Sequence, residues 1–334
     1  MRKNALVVSG GGSKGAFAVG AIDHIVNTLG IQFQFISGTS TGALIAPLVV
    51  TGNIDVLKDI YTSVRTRDIL LRRELANILR SNSIFDVSPL DKLVRDTFDQ
   101  ARTAEILASN TQMALTTVCL QTGRVTYFQS GPTLNHAQDV DVHTIGDRET
   151  LRRAVIASAD QPVLMPPVMI PSGADPPRQY VDGGVREYAP IRIAIDNGAT
   201  DVYAIVLGPE DRPSKDNRFQ GVLSILMRTL GVFIEDVGTN DVGTAKLYND
   251  SLTYLNAVRD AARTRCGLSD AELDQLFSPA NVRNPFAGKR LVNLHIVRPA
   301  TELPSDGLEF DPPEMTEMMA RGKTRARAIL GSTP

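Results

Sequence analysis

Ser40 lies in the pentapeptide Gly38-Thr39-Ser40-Thr41-Gly42, between an apolar run, Phe33-Gln34-Phe35-Ile36, and a helix-like run from Ala43 to Val50. Strand, sharp turn, helix is the setting in which G-x-S-x-G marks a nucleophile elbow. Gly38 and Gly42 stand two residues to either side, where a larger side chain would strike neighbouring backbone. The hydroxyl then stands at the carboxyl end of a strand with a helix N-terminus behind it. A serine so placed can attack an acyl carbonyl. The plain alternative is a small-residue turn that packs a helix on a sheet.

A serine nucleophile needs a base to take its proton. Histidine is the usual base, oriented by a carboxylate. The chain has four histidines: His24, His136, His143 and His295. His24 falls inside the first helical pattern, His136 and His143 in a polar loop, and His295 in a late strand. None stands at an evident strand-end loop with glycine or proline support. Asp182-Gly183-Gly184 ends a short strand, and its glycines let the main chain approach another loop closely. A partly buried carboxylate there could accept the serine proton directly, with its pKa raised by burial. Asp-Gly is also a common turn dipeptide, so a simple turn stays open.

Ser9-Gly10-Gly11-Gly12-Ser13-Lys14-Gly15 joins the first strand to the first helix. Gly10, Gly12 and Gly15 satisfy the G-x-G-x-x-G dinucleotide pattern. That reading wants an acidic residue near the end of the second strand, and Ser37-Gly38-Thr39-Ser40 stands there instead. A Walker A loop is excluded, because Lys14 precedes Gly15 and the loop holds no G-K-[ST]. Backbone amides of such a loop, at a helix N-terminus, could instead be aimed at an oxyanion. Lys14 would add positive charge. A ligand-free turn is the remaining alternative.

Together these pieces are more specific than any one. Gly10-Gly11-Gly12-Ser13-Lys14-Gly15, then Gly38-Thr39-Ser40-Thr41-Gly42, then Asp182-Gly183-Gly184 resemble the patatin-like phospholipases, in the bacterial style. Ala157-Ser158-Ala159-Asp160-Gln161-Pro162 with Pro166-Pro167 is similar to that family's proline-containing block. The resemblance spans about the first two thirds of the chain. It implies a Ser–Asp dyad without histidine: Ser40 as nucleophile, Asp182 as base. The loop Gly10, Gly11, Gly12, Ser13, Lys14 and Gly15 would supply the oxyanion amides. It implies acyl-ester lipid substrates and a three-layer α/β/α sandwich around a largely parallel sheet. It implies no cofactor and no metal, and no calcium-loop spacing occurs here. Ser9 stands where plant members carry an aspartate.

The elements that must position these residues are legible in outline. Ala5 to Val8 is a short continuous apolar run, as in a buried parallel strand. Phe17, Ala21, Ile25 and Leu29 repeat at helical spacing up to a C-capping Gly30. With the strand Phe33 to Ile36 they make a βαβ unit and a parallel pairing. Ile54 to Phe98 is helical and irregular, with Ser88-Pro89 opening its last helix. Met113 to Leu120 and Val125 to Gln129 flank a hairpin turn. Thr150 to Ser158 is a helix, and Tyr180-Val181 and Asp201 to Leu207 are strands. Phe219 to Leu230 and Thr239 to Arg265 read as two helices, Leu291 to Val297 as a strand and Glu314 to Leu330 as a last helix. Asp211 to Asn217 is a polar connector. The division is a catalytic core, 1–210, and a mostly helical C-terminal part, 211–334, packed on the same domain.

With 334 residues, 43% hydrophobic and 22% charged, a sizeable core is assured. A net charge of −2 speaks against nucleic-acid binding. Two cysteines, Cys119 and Cys266, suit a reducing compartment. No signal-peptide h-region or membrane-length apolar run occurs, so a cytoplasmic protein is expected, with export as a signal-less effector the alternative. Access to a lipid surface could use Arg65 to Arg80, basic and apolar, as an interfacial helix; a solvated surface helix is the plainer reading. The rival activities are an acyltransferase on the same Ser40 and a nucleotide-binding module using the glycine loop.

Overall fold

The computed structural model describes residues 2–332 except positions 75–77, 79, 172–175, 212, 213, 215–217, 280, 283, 287 and 288. The expected βαβ unit opens the chain. β1 (Asn4–Val8) leads to α1 (Gly15–Asp23), which runs on as a π-helical turn over His24–Thr28, and β2 (Phe35–Thr39) returns. β1 and β2 pair in parallel with Val8 opposite Gly38. Leu6 and Val8 enter one core while Ala5 and Val7 enter another. The strand is therefore buried on both faces, which is why its sequence is an unbroken apolar run rather than an alternation.

α2 (Thr41–Val50) and α3 (Ile54–Ser63) follow, then a two-strand ribbon, β3 (Leu71–Arg72) and β4 (Phe85–Asp86). α4 (Ser88–Thr97) and α5 (Gln100–Ala108) lead to the hairpin β5 (Gln112–Cys119) and β6 (Val125–Ser130), and to β7 (Asp141–Thr144). α6 (Arg148–Ala159), β8 (Val168–Ile170), β9 (Arg178–Asp182), α7 (Ile191–Asp196) and β10 (Asp201–Ile205) complete the first two thirds. Beyond lie α8 (Val222–Cys266), α9 (Asp270–Leu276), β11 (Asn293–Val297) and α10 (Pro312–Leu330).

Among the described residues nine strands form one sheet, in the order β11-β10-β1-β2-β5-β6-β7, with β9 on β5 and β8 on β9. Five of its eight pairings are parallel. Helices α1, α2, α6 and α10 supply one core, with Phe17, Ile45, Val155 and Met315. Helices α7 and α8 cover the other face with Ile191 and Val242. This is the expected α/β/α sandwich with a largely parallel sheet and a helical C-terminal region.

One register decides the site. β5 keeps β6 on one flank along its length. Its other flank is shared: β2 occupies it up to Thr39 opposite Thr116, and β9 takes over with Asp182 opposite Thr117. β2 runs parallel to β5 and β9 antiparallel, so the two strands meet head to head.

Two expectations are corrected. From Val222 on, the segments Phe219–Leu230 and Thr239–Arg265 are parts of one 45-residue helix, α8. Its interior Gly238 reads as a break from propensity alone, yet a Cβ there would stand 2.7 Å from the Tyr188 ring. Tertiary packing of Val242 and Ala245 on the core outweighs that local preference. The basic segment Arg65 to Arg80 is not one helix. Thr66–Asp68 is a short 3-10 turn and Leu71–Arg72 pairs with Phe85–Asp86, while positions 75–77 and 79 lie outside the described residues. Ile69 and Leu70 are buried in the core and serve packing, whereas Leu71 is exposed. Most of the connector 211–217 also lies outside the described residues.

Candidate active site

Ser40 follows the carboxyl end of β2 and precedes α2, with φ 57° and ψ −122°. A non-glycine residue at positive φ in such a turn is strained by roughly 1–3 kcal/mol, and the surrounding structure must hold it there. Close packing does so. A Cβ on Gly38 would lie 2.2 Å from the Gly42 carbonyl oxygen, and one on Gly42 2.2 Å from that of Val8. The Ser40 amide donates to Ser158 Oγ at 3.0 Å, and Ser158 donates in turn to the Thr116 carbonyl at 2.6 Å. Ser158 lies in the proline-containing block, but its hold on the elbow could not be read from sequence.

The head-to-head meeting of β2 and β9 brings Asp182 against Ser40. Asp182 is 2% exposed. Its Oδ1 accepts from the Gly184 amide at 2.7 Å, so the turn role of Asp-Gly-Gly is present as well. Burial pushes its pKa up to about 6, while the Gly184 amide and the Ser40 hydroxyl pull it down. Its neighbour Asp160 is fully buried, and its carbonyl accepts from the Asp182 amide at 2.9 Å. Burial holds the Asp160 carboxyl well above the usual range, as do the charges of Asp182 and Asp91.

The glycine loop lies beside the elbow: a Cβ on Gly10 would meet Ser40 Cβ at 3.2 Å. Four of its six amides are engaged inside the protein. Gly10 donates to the Tyr188 carbonyl, Ser13 to that of Gly307, and Lys14 to that of Gly11. Gly15 donates to those of Gly12 and Ser13. Among the described residues, no protein acceptor takes the amides of Gly11 and Gly12. Ser9, buried, ties the ends of β1 and β10 together by accepting from the Leu207 amide at 3.0 Å.

Gly12, Ser40 and Thr41 open onto a cavity with a largely apolar wall that includes Leu44, Leu57, Ile69, Leu90 and Phe98. Part of its edge is Gly307, Leu308 and Phe310, from the C-terminal region. No sequence signal pointed to these three. None of the four histidines lines it. His24 is buried and bonds the Gly331 carbonyl, His136 is exposed, and His143 meets the Tyr180 hydroxyl at 3.3 Å. His295 stacks on Tyr203 and lies 3.9 Å from Asp201, which opens β10, whereas Ser40 follows the opposite end of the parallel sheet. No cluster of metal-ligating side chains occurs among the described residues.

The segment after Asp182 joins the site to the other face of the sheet. Thr39 Oγ1 donates to the Glu187 carbonyl at 3.0 Å. Asp241 of α8 accepts from the amides of Tyr188 and Ala189 at 2.8 and 2.9 Å. Asp241 carries no sequence signature, because its contacts cross 53 and 52 residues.

A family model described as "Patatin-like phospholipase" matches residues 6–195. The chain belongs to this family. Membership places it among lipid-hydrolysing enzymes. A relative from Escherichia coli, described as "cUMP-AMP-activated phospholipase", is 23% identical over 306 residues, covering 80% of this chain and 92% of its own. The crystal structure of VipD from Legionella pneumophila aligns with a TM-score of 0.48 and 11% identity, over 99% of this chain and 67% of that one. No helix among the described residues of this patatin-like chain is long and apolar enough to cross a membrane.

Proposed function

We propose that this patatin-like protein cleaves fatty-acyl esters of phospholipids, lysophospholipids or neutral lipids through a Ser40–Asp182 dyad and an acyl-serine intermediate. The observation that carries the reading is the meeting of β2 and β9, which sets a buried carboxylate against a strained serine beside an apolar cavity. Asp182 takes the Ser40 proton as Oγ attacks the acyl carbonyl. Gly11 and Gly12 donate to the oxyanion, joined by the Thr41 amide at the start of α2. The leaving alcohol takes the proton from Asp182, and water then releases the fatty acid by the reverse relay. An apolar wall suits an acyl chain and not the phosphates of a nucleotide, which favours this reading over a nucleotide-binding loop.

Labelling by a fluorophosphonate ester tests it. Wild type is expected to label and Ser40→Ala not to; labelling that survives Ser40→Ala refutes the reading. The same nucleophile could pass its acyl group to an alcohol, so product analysis with and without glycerol separates hydrolysis from transfer.

A second reading concerns activation. A second cavity, with a mixed polar and apolar wall, lies on the other face of the sheet, lined in part by Tyr127, Arg186, Glu187, Asp241, and Arg192 and Lys289, both paired with Asp196. It backs the segment that follows Asp182. The name of the Escherichia coli relative describes activation by a cyclic dinucleotide, and a ligand of that class would have arginines and a lysine to meet here. Turnover measured with and without cyclic dinucleotides tests this, and equal rates across a panel refute it.

A further inference from the structure

The glycine loop does not hold its own shape. Ser13 donates its amide to the Gly307 carbonyl at 3.0 Å, and a Cβ on Gly12 would lie 1.9 Å from that same oxygen. The Ser13 and Ser305 hydroxyls meet at 2.7 Å. Ser305 Oγ donates to the Glu309 carbonyl at 3.1 Å and accepts from the Gly307 amide at 3.0 Å. Its one proton is thus spent, and Ser13 is the donor in the pair. Ser13 is fully buried and Ser305 5% exposed, so neither bond competes with bulk water. The far end of the segment is anchored too: Thr66 and Phe310 exchange bonds, with Phe310 donating to Thr66 Oγ1 at 2.9 Å and its carbonyl accepting from the Thr66 amide at 3.0 Å.

We infer that the strap 303–310 is a positioning element for the oxyanion site, with Ser305 and the Gly307 carbonyl fixing the glycine loop so that the Gly11 and Gly12 amides stay free to donate. The inference rests on the acyl-serine reading above. Bonding of Ser13 to the strap removes its amide from the set of donors and pins the residue that follows Gly12. Gly12 itself adopts φ 58°, and the Gly307 carbonyl leaves no room there for a side chain. Leu308 and Phe310, on the same strap, close the acyl cavity. One segment therefore sets both where the oxyanion is held and how the acyl chain is bounded. Ser305 acts through the loop and touches no reacting atom.

The test uses the full chain and a short p-nitrophenyl ester. Ser305→Ala is expected to lower kcat about 10- to 100-fold, the scale of a small misplacement in a reacting geometry. KM should change less than kcat, because the cavity-lining end of the strap keeps its own anchor, Phe310 to Thr66. Fluorophosphonate labelling should slow in parallel, since its adduct places an oxygen in the same hole. Ser13→Ala, which deletes one hydroxyl from the other side of the same bond, should show a similar loss, and the double variant no greater loss than the worse single one. Ser13→Ala alone carries the expectation if Ser305→Ala does not fold. Unchanged kcat in the folded variants, or a loss confined to KM, overturns the strap as a positioning element while Ser40-dependent labelling leaves the dyad standing. Labelling that survives Ser40→Ala overturns both.

Discussion

Ser40 and Asp182 each carry a local cost that the fold opposes. Ser40 is held at φ 57° by backbone contacts around Gly38 and Gly42. Asp182 is ionised in a buried place, with a folded pKa of about 6 against a usual value of 3.8. Two predictions follow from that pKa. In its proposed role as base Asp182 must be ionised, so kcat/KM should fall about tenfold per pH unit below about 6; a flat profile down to pH 5 would remove Asp182 as the base. A raised carboxylate also favours the fold most below about pH 3.8, and that contribution is lost as pH rises through about 6. Asp182→Asn should therefore raise stability at pH 8 by about 1–3 kcal/mol, seen as a higher Tm, with the gain shrinking toward pH 5. The same variant should lose at least about a hundredfold in ester turnover. A variant that is neither more stable nor less active would overturn the assignment.

At the scale of elements, the crossing of α1 and α10 is the tightest test of packing. A Cβ on Gly20 would lie 1.9 Å from the Met319 carbonyl oxygen, and one on Gly322 1.9 Å from that of Phe17. Each glycine faces the other helix's backbone. Asp23 of α1 joins the crossing by bonding Lys323 of α10 at 2.7 Å and pairing with Lys58 of α3. Burial pushes the Asp23 carboxyl up, yet Lys323, Lys58 and Asn27 bring it down to about 2. Gly20→Ala and Gly322→Ala should each destabilise by about 1–3 kcal/mol as the helices are forced apart. The double variant should lose less than the sum, because one displacement relieves both clashes. Thermal unfolding of the three variants reads this directly, and strict additivity would mean that the helices adjust independently. Much of this was legible: the stripe from Phe17 to Leu29 predicts the helix, but its partner lies some 300 residues away, and periodicity says nothing about partners.

At the scale of the whole molecule, residues beyond 210 contact the first part at several places. The family match ends at 195, yet β11 pairs with β10 at residues 293–297, α10 packs on α1, and the strap reaches the glycine loop. A chain cut after residue 210 would expose the edge of β10 and the apolar face of α1, an aggregation hazard. We expect the 1–210 fragment to be insoluble or unlabelled by the fluorophosphonate. A soluble, labelling-competent fragment would show that the C-terminal part is dispensable to the core. α8 alone, at 45 residues, runs roughly 67 Å, and Asp241 links it to the segment behind the site.

The amino-acid sequence by itself determined what is local. An elbow needs glycines at Gly38 and Gly42, a strand buried on both faces needs an unbroken apolar run, and a turn after β9 needs Asp182-Gly183-Gly184. These couplings span a few residues, so they show in short motifs. Tertiary structure alone decided the rest. Whether Ser40 meets Asp182 depends on the register of β2 and β9 along one flank of β5. Which amides of the glycine loop stay free depends on Tyr188 and Gly307, residues 178 and 294 positions further along the chain from those they bind. Whether two helical patterns join into α8 depends on what the intervening residues pack against. Contacts across such separations are set by packing and strand pairing, to which no single stretch of sequence is a guide.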